Sequence, residues 1–318
     1  MFDVNENEAL YQRLEERVGR VHLKQRLGIE IDHEGRRVFG QGRNFFHIEN
    51  WVESHALIKT VLQMLLLHKL GQKNARKICV KSNDFQFQHL PSVFDGYTLL
   101  HITDLHLDMA RDMPDVLIDT IKDLEYDICV LTGDFRANTY GPYQAALDGL
   151  RTVRPHIKGD IFAVLGNHDT IKMVPEIEDM GIRMLLNEYV RIEQGGEAIY
   201  LSGIDDPHYY RADNFEKASE DIPQDAVSIL LAHSPEVYKH AAHADFNVML
   251  SGHTHGGQLC LPGGIPVMVN ARCPRRYCIG SWKYHQIQGY TSVGSGSCVV
   301  DVRLNCPPEV TLHRLRKI

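Results

Sequence analysis

The chain has 318 residues, of which 43% are hydrophobic and 24% are charged, and its formal net charge at pH 7 is −7. This length is enough for one large domain or two ordinary ones with a substantial core. The acidic balance argues against a protein that coats nucleic acid, because such proteins carry an excess of Lys and Arg. The seven cysteines are odd in number and form no Cys-x-x-Cys pair, so we expect free thiols and a cytoplasmic location.

The first 80 residues are predicted to form a helical extension, followed by a catalytic domain at residues 81–318. Apolar residues recur at helical spacing at Leu10, Leu14, Val18 and Val21. The polar, Gly-containing segment 28–43 predicts a loop, and segment 51–67 predicts an unusually apolar helix with basic residues near its end. We interpret the extension as packed on the main domain; an in-plane membrane anchor or an oligomer interface is the alternative. The acidic N-terminus is not a secretory signal, and no run of about 18 apolar residues predicts a membrane span.

From Tyr97 onward, short apolar runs alternate with amphipathic stretches. The runs at 97–103, 127–132 and 161–165 predict strands, and the periodicity at 113–124 and 143–153 predicts helices between them. Such β-α-β alternation is typical of parallel strands with crossover helices. Further strand-like runs follow at 182–186, 198–202, 227–231 and 246–250, and two more are predicted within 290–313. We therefore predict an α/β fold, a four-layer αββα sandwich of two mixed sheets.

Metal-ligand types of side chain follow five of the predicted strands. The five strand ends read Asp104-Leu105-His106, Gly133-Asp134, Gly166-Asn167-His168-Asp169, Ala232-His233-Ser234 and Gly252-His253-Thr254-His255-Gly256-Gly257. Each motif alone has an ordinary explanation, since a Gly-Asp pair after a strand is usually a turn. Ligand sites in parallel sheets form just outside the carboxyl ends of the strands, so the ordered set predicts a functional site. Mixed nitrogen and oxygen ligands suit Mn²⁺, Fe²⁺ or Zn²⁺ rather than Ca²⁺.

The ordered motifs resemble the calcineurin-like metallophosphoesterases over residues 104–258. Three further segments resemble one branch of that family: Gly203-Ile204-Asp205-Asp206-Pro207, the Gly-Gly-Gln after the last histidine, and Asn305-Cys306-Pro307-Pro308-Glu309. That branch contains bacterial membrane-associated phosphoesterases, some of them UDP-2,3-diacylglucosamine pyrophosphatases. The resemblance implies a hydrolase of phosphoester or pyrophosphate bonds with a dinuclear metal centre, for which we expect two divalent ions, Mn²⁺ first and Fe²⁺ or Zn²⁺ next.

The resemblance also implies a role for each site residue. Asp104, His106 and His255 would hold the first metal, Asp134 would bridge both, and Asn167, His233 and His253 would complete the second. His168 would face the substrate as a catalytic residue, with Asp169 orienting its imidazole. Two dications held by two carboxylates keep a positive charge, which attracts a phosphate and lowers the pKa of a bound water.

The substrate is less constrained than the chemistry. Arg272, Arg275 and Arg276 can grip a second phosphate, a nucleotide or a lipid head group, or form a solvated basic loop; Arg136 can contact phosphate or lie at the surface. With the apolar helix at 57–67, these arginines favour a lipid-linked nucleotide such as UDP-diacylglucosamine and peripheral attachment to the inner face of a membrane. The alternatives are a general phosphodiesterase on soluble nucleotides, a nuclease, and a non-catalytic metal-binding scaffold. The acidic balance makes nucleic acid an unfavoured partner.

Overall fold

The computed structural model describes residues 4–39 and 52–318. The chain begins with four helices: α1 (Val4–Val18), α2 (Arg20–Phe39), α3 (Val52–Met64) and α4 (His68–Ala75). The predicted loop at 28–43 is wrong over residues 28–39, which belong to α2. Gly28 and Gly35 lie within this helix, and single glycines inside a helical pattern weaken a helix without ending it. The remaining residues of that loop, 40–43, and Trp51 of the predicted apolar helix lie outside the described residues.

The first sheet has six strands in the order β1-β14-β2-β3-β4-β5. The strands predicted after Tyr97 are confirmed as β2 (Thr98–Ile102), β3 (Ile128–Leu131) and β4 (Asp160–Ala163), which run parallel. The crossover helices α5 (Met113–Ile121) and α6 (Gln144–Val153) connect them, and α7 (Val174–Asp179) precedes the short edge strand β5 (Arg183–Met184). On the other side of β2 lie β14 (Glu309–Lys317) and β1 (Cys79–Phe87), a strand that the apolar pattern did not reveal.

The second sheet has the order β12-β13-β9-β8-β7-β6. Its strands are β6 (Glu188–Gln194), β7 (Glu197–Gly203), β8 (Ser228–Leu231), β9 (Val248–Ser251), β12 (Gly280–Tyr284) and β13 (Ile287–Thr291). The central strands β7, β8, β9 and β13 are parallel, and the two edges are antiparallel. Helices α8 (Phe215–Ser219) and α9 (Tyr238–His243) accompany this sheet, and a small hairpin of β10 (Cys260–Leu261) and β11 (Ile265–Pro266) follows β9.

Three apolar clusters explain why these elements stack in four layers. One lies between the sheets and joins residues such as Val130 and Phe162 of the first sheet to Leu201 and Ile229 of the second. A second packs α1, α5, α6 and α7 on the outer face of the first sheet, and a third packs α8 and α9 on the second sheet. The predicted αββα sandwich of two mixed sheets is therefore confirmed. Among the described helices, none is both long and apolar enough to cross a membrane.

A buried histidine pair within the first sheet gives the fold a predicted pH dependence. His101 and His313 are fully buried, with His101 Nδ1 3.2 Å from His313 Nε2. Burial lowers the pKa of His101 to about 3 and also lowers the pKa of His313. Since both imidazoles are neutral when folded but bind protons when unfolded, the free energy of unfolding is highest above the unfolded pKa of about 6.5 and falls as the pH drops below it.

We expect each of these histidines to reduce the free energy of unfolding by about 1.4 kcal/mol per pH unit below pH 6.5. Urea denaturation at pH 7.5, 6.0 and 5.5 measures that slope. His101→Gln should remove about half of the pair's contribution, whereas His285→Gln, at an exposed position, should retain the full slope. Equal slopes for wild type and His101→Gln would contradict this explanation.

Candidate metal centre

Strand ends from both sheets bring the predicted ligands together at one edge of the sandwich. Asp104 and His106 follow β2, Asp134 follows β3, and Asn167 follows β4 in the first sheet. From the second sheet, His233 follows β8, and His253 and His255 follow β9. Each of these seven residues is at most 7% exposed. Buried polar groups require partners, and so many at one place indicate a binding centre.

The first group of ligand atoms comprises Asp104, His106 and His255. His255 Nε2 lies 3.3 Å from Asp104 Oδ1 and 3.2 Å from His106 Nε2. Asp104 and His106 also belong, together with Asp134, to a set whose ligand atoms all lie within 4.8 Å of one another. Two imidazole nitrogens and a carboxylate oxygen facing one point form a suitable set for a divalent transition-metal ion.

The second group is built around Asp134. Its Oδ2 lies 3.3 Å from His233 Nε2 and 3.8 Å from His106 Nε2, so one carboxylate oxygen faces both groups. Asn167 Oδ1 is 2.9 Å from His233 Nε2, and Asp134, His233 and His253 form another compact set. His253 Nε2 is buried and has no hydrogen-bond partner among the described residues. An unsatisfied nitrogen at this point fits a metal ligand better than a packing role.

Hydrogen bonds from the main chain fix two of the imidazoles. His106 Nδ1 lies 2.7 Å from the Arg136 carbonyl oxygen, and His233 Nδ1 lies 2.7 Å from the Thr132 carbonyl oxygen. A carbonyl oxygen only accepts, so we assign the proton to Nδ1 in both rings. Each Nε2 then points to the centre, which is the usual arrangement around metal-binding histidines.

The backbone at the strand ends adopts conformations that are rare for residues with a side chain. Positive φ angles occur at five of the predicted ligands: Asp104 (51°), His106 (42°), Asp134 (56°), His253 (69°) and His255 (49°). Such angles are uncommon outside glycine and concentrate at functional sites. The chains also approach closely, because a Cβ on Gly252 would lie 2.1 Å from Thr103 Oγ1 and 2.3 Å from Asp104 Oδ2. Position 252 of the motif must therefore be glycine, because any side chain there would collide with these atoms.

The charge balance of the centre favours a cation. Burial alone would raise the pKa of Asp134, but His233 and His168 lower it well below its usual range, so Asp134 is ionised. Burial lowers the pKa of His253 and of His255 well below the ordinary histidine value, so both rings are neutral. Burial would also lower the pKa of His233, but Asp134 raises it to about 10. The negative charge of Asp134 is thus balanced by the extra proton on His233. A bound metal ion would replace that proton.

His168 faces a cavity beside the two groups. The cavity has a volume of about 160 Å³, and its lining includes His168, Asp134, Asn167, His253 and His255. His168 Nε2 is 3.9 Å from Asp134 Oδ2, and His168 Nδ1 is 3.2 Å from Thr139 Oγ1. The position of His168 at the cavity, beside the centre, is compatible with a side chain that faces substrate.

The carboxylate of Asp169 bonds to the main chain of two loops. Its carboxylate accepts backbone N–H groups from Asp134 (2.8 Å), Gly166 (2.8 Å) and Phe135 (3.0 Å). It therefore fastens the loop after β4 to the loop after β3. The orientation of the His168 imidazole by Asp169 stays a prediction.

The predicted substrate-binding arginines lie in two different environments. Arg136 is only 3% exposed, so the surface interpretation is wrong, and its guanidinium donates to the carbonyl oxygens of His168, Thr139 and Gly141. These bonds make Arg136 a brace for the loops around His168. Arg272, Arg275 and Arg276 are exposed, and they are not among the described residues that line the cavity.

Two residues at the centre were not identified from the sequence. Cys298 lines the cavity, with its Sγ 3.8 Å from His168 Nε2, and it forms a compact set with His106 and His255. Arg303 is fully buried and donates to the carbonyl oxygens of His255 (3.2 Å) and Val293 (2.7 Å). Both residues lie more than 40 positions after His255, and only their approach in space reveals them.

A two-sheet sandwich that gathers buried Asp, Asn and His side chains beside a cavity defines a metal-dependent hydrolase. Residues 97–257 match the calcineurin-like phosphoesterase family. The uncharacterized metallophosphoesterase YkoQ of Bacillus subtilis is 30% identical, covering 68% of this chain and 83% of that protein. The phosphodiesterase YaeI of Escherichia coli is 29% identical, with 69% and 82% covered. A Danio rerio transmembrane protein with metallophosphoesterase domain is 27% identical, with 83% and 64% covered.

The chain therefore belongs to the calcineurin-like phosphoesterase family, as the ordered motifs predicted. It is a metal-dependent phosphoesterase, a hydrolase that uses divalent metal ions. The compact sets of buried ligand atoms described above are the part of the chain that suits those ions.

Proposed function

We propose that this enzyme hydrolyses a phosphodiester or pyrophosphate bond in a nucleotide- or lipid-linked substrate such as UDP-diacylglucosamine, using two divalent ions. The observation that carries the two-ion proposal is the position of Asp134, whose Oδ2 lies within 4 Å of both His106 and His233. We assign Asp104, His106 and His255 to one ion, Asn167, His233 and His253 to the other, and Asp134 to both. The mixed nitrogen and oxygen ligands favour Mn²⁺, with Fe²⁺ or Zn²⁺ as substitutes.

When bound, the two ions would supply Lewis-acid charge to the phosphate and lower the pKa of a water. Side chains of the protein would hold the ions and act on the substrate. Asp104 and Asp134 supply the negative charge that holds the ions, and the neutral imidazoles of His253 and His255 add nitrogen ligands without charge. His168 faces the cavity, where it can stabilise the phosphate oxygens or hand a proton to the leaving oxygen.

Apolar side chains beside the centre support an amphiphilic substrate. The cavity that contains His168 is also lined by Ile58 of α3, Leu259, Met268 and Val300. Large apolar side chains are exposed on α3 and on the hairpin segment, at Leu57, Val61, Met64, Leu261, Ile265 and Val267. Single exposed apolar residues need no explanation, but a group beside a catalytic cavity is typical of contact with a lipid or a membrane.

We accordingly propose that residues 1–80 form an extension through which the catalytic domain at 81–318 contacts the inner face of a membrane. Lys59 and Lys69 are exposed near the apolar residues of α3 and suit anionic head groups. The exposed Arg272, Arg275 and Arg276 suit the same head groups or a second phosphate of the substrate. The Danio rerio relative is named a transmembrane protein, which is compatible with a function at a membrane.

A general phosphodiesterase on soluble nucleotides is the second candidate, because the Escherichia coli relative is named a phosphodiesterase. The Mn²⁺-loaded protein should be assayed side by side on bis-p-nitrophenyl phosphate, p-nitrophenyl phosphate and a UDP-linked acylated sugar, with co-sedimentation on anionic vesicles at low salt. The lipid proposal predicts preferred turnover of the UDP-lipid, vesicle binding, and weaker binding by Leu57→Ser/Val61→Ser. Turnover of the generic diester with neither lipid preference nor vesicle binding would favour the soluble-nucleotide enzyme.

A further inference from the structure

The loop after β4 is held from behind by the N-terminal extension. We propose that Arg26 and Glu30 of α2 are positioning residues that set the orientation of His168, so that the extension completes the catalytic centre. This inference rests on the proposed function, because it assigns α2 to the same site.

The loop needs such support because its main chain has left the sheet. Strand β4 ends at Ala163, so the peptide groups of residues 166–171 lie beyond its pairing with β3 and β5. Buried peptide groups must find partners elsewhere. Arg26 Nη2 donates to the carbonyl oxygen of Asp169 at 3.0 Å. Glu30 Oε1 accepts the N–H of Ile171 at 2.9 Å, and Glu30 Oε2 accepts the hydroxyl of Thr170 at 2.6 Å.

The loop after β4 is therefore hydrogen-bonded on two sides, to the loop after β3 and to α2. The Asp169 carboxylate is bonded to the backbone after β3, and the Asp169 carbonyl is bonded to Arg26. The carbonyl of His168 itself is bonded by the guanidinium of Arg136. With the backbone of residues 168 and 169 fixed, the point from which the His168 side chain extends to the cavity is fixed as well. Catalytic groups lose rate steeply when displaced by about 1 Å, so holding this backbone is a catalytic requirement.

Docking of the extension alone does not explain these buried charges. Arg26 is fully buried, with Nε 3.3 Å from Asp205 Oδ2, Nη1 3.1 Å from Glu30 Oε1 and its guanidinium 3.3 Å from the centre of the Tyr210 ring. Burying charges is costly even when they are paired. Helix α1 already fastens the extension with half-exposed or exposed pairs, Arg17 to Glu178 and Arg13 to Asp179. The buried pair is placed where the loop of His168 needs partners.

Glu30→Gln tests this inference, because the amide keeps the size of the side chain but offers only one acceptor oxygen for two donors. With Mn²⁺ and bis-p-nitrophenyl phosphate, we expect kcat to fall about tenfold with KM and bound metal unchanged, since a displaced catalytic group reduces the rate rather than the binding. Thr170→Val should reduce kcat in the same direction by a smaller factor. Arg17→Met is the matched control, because it removes a docking pair of the extension without touching the loop; it should lower the melting temperature and leave kcat unchanged.

A double-mutant cycle with His168→Ala provides the decisive comparison. If Glu30 acts through His168, then Glu30→Gln should reduce kcat less than about twofold in the His168→Ala background. Full additivity of the two variants, or an Arg17→Met loss of kcat equal to that of Glu30→Gln, would overturn the inference. These outcomes differ from failure of the proposed function, which would appear as no Mn²⁺-dependent turnover by the wild type or no loss in His168→Ala alone.

Discussion

Replacing Asp134 with Asn is expected to abolish turnover, with a loss of roughly 10³-fold or more, and to reduce bound metal from two ions per chain to one or none. Asp134 is the single carboxylate that faces both ligand groups, so its charge affects both ions. Asn retains the oxygen that accepts the backbone N–H of His168 at 2.9 Å, and the loop geometry should survive. Initial rates on bis-p-nitrophenyl phosphate and elemental analysis of the same sample measure the two effects together.

Asp160→Asn is the matched control for this substitution. Asp160 begins β4 at the opposite end of the same sheet and is exposed, so the variant should keep both ions and full turnover. Two bound ions together with wild-type rates in Asp134→Asn would refute the bridging assignment.

His168→Asn gives the second large effect, a fall in kcat of roughly 10²- to 10⁴-fold with both ions retained. The side chain faces the cavity, but it is assigned to neither ion, so its loss should affect the reaction and leave the metal centre intact. Asn keeps a polar side chain of smaller size at this buried position. Kinetics and metal content must be measured on the same preparation, since the prediction concerns their separation.

If metal content in His168→Asn falls in parallel with kcat, His168 is a ligand and the assignment of roles is wrong. If kcat is unchanged while KM rises, His168 contributes only to substrate binding. The expected pattern, a reduced kcat with two ions bound, would leave proton transfer and charge stabilisation as the remaining roles, and a pH–rate profile of the variant would separate those.

The sequence predicted the parts of this protein that depend on local pattern. The strands β2, β3 and β4 are short, continuous apolar runs, because each is buried between layers of the sandwich. The ligand residues follow directly after strands, and the carboxyl ends of parallel strands share one edge, so sequence order was enough to bring them together. The edge strand β1 was not predicted, since it is mostly exposed, with only Phe85 and Phe87 buried, and gives no such run.

Contacts between segments that are distant in sequence could not be predicted from local patterns. Arg303 reaches the carbonyl oxygen of His255 from 48 positions away, and Arg26 reaches Asp169 from 143 positions away. Nothing in the neighbouring residues of either arginine distinguishes it from an exposed one. The bonds from the Asp169 carboxylate to the loop after β3 were not predicted for the same reason, because they depend on the turn geometry. Residues 28–39 of α2 were predicted as a loop because polar residues and Gly28 hide the helical pattern of the face that packs behind the centre.

We propose that hydrolysis requires two metal ions, held at the strand ends. The most direct test strips the protein with a chelator and titrates Mn²⁺ back while following turnover of bis-p-nitrophenyl phosphate. We predict no turnover in the stripped protein, little with one equivalent, and saturation at two equivalents per chain. Full turnover by the stripped protein, or saturation at a single equivalent, would contradict the two-ion centre.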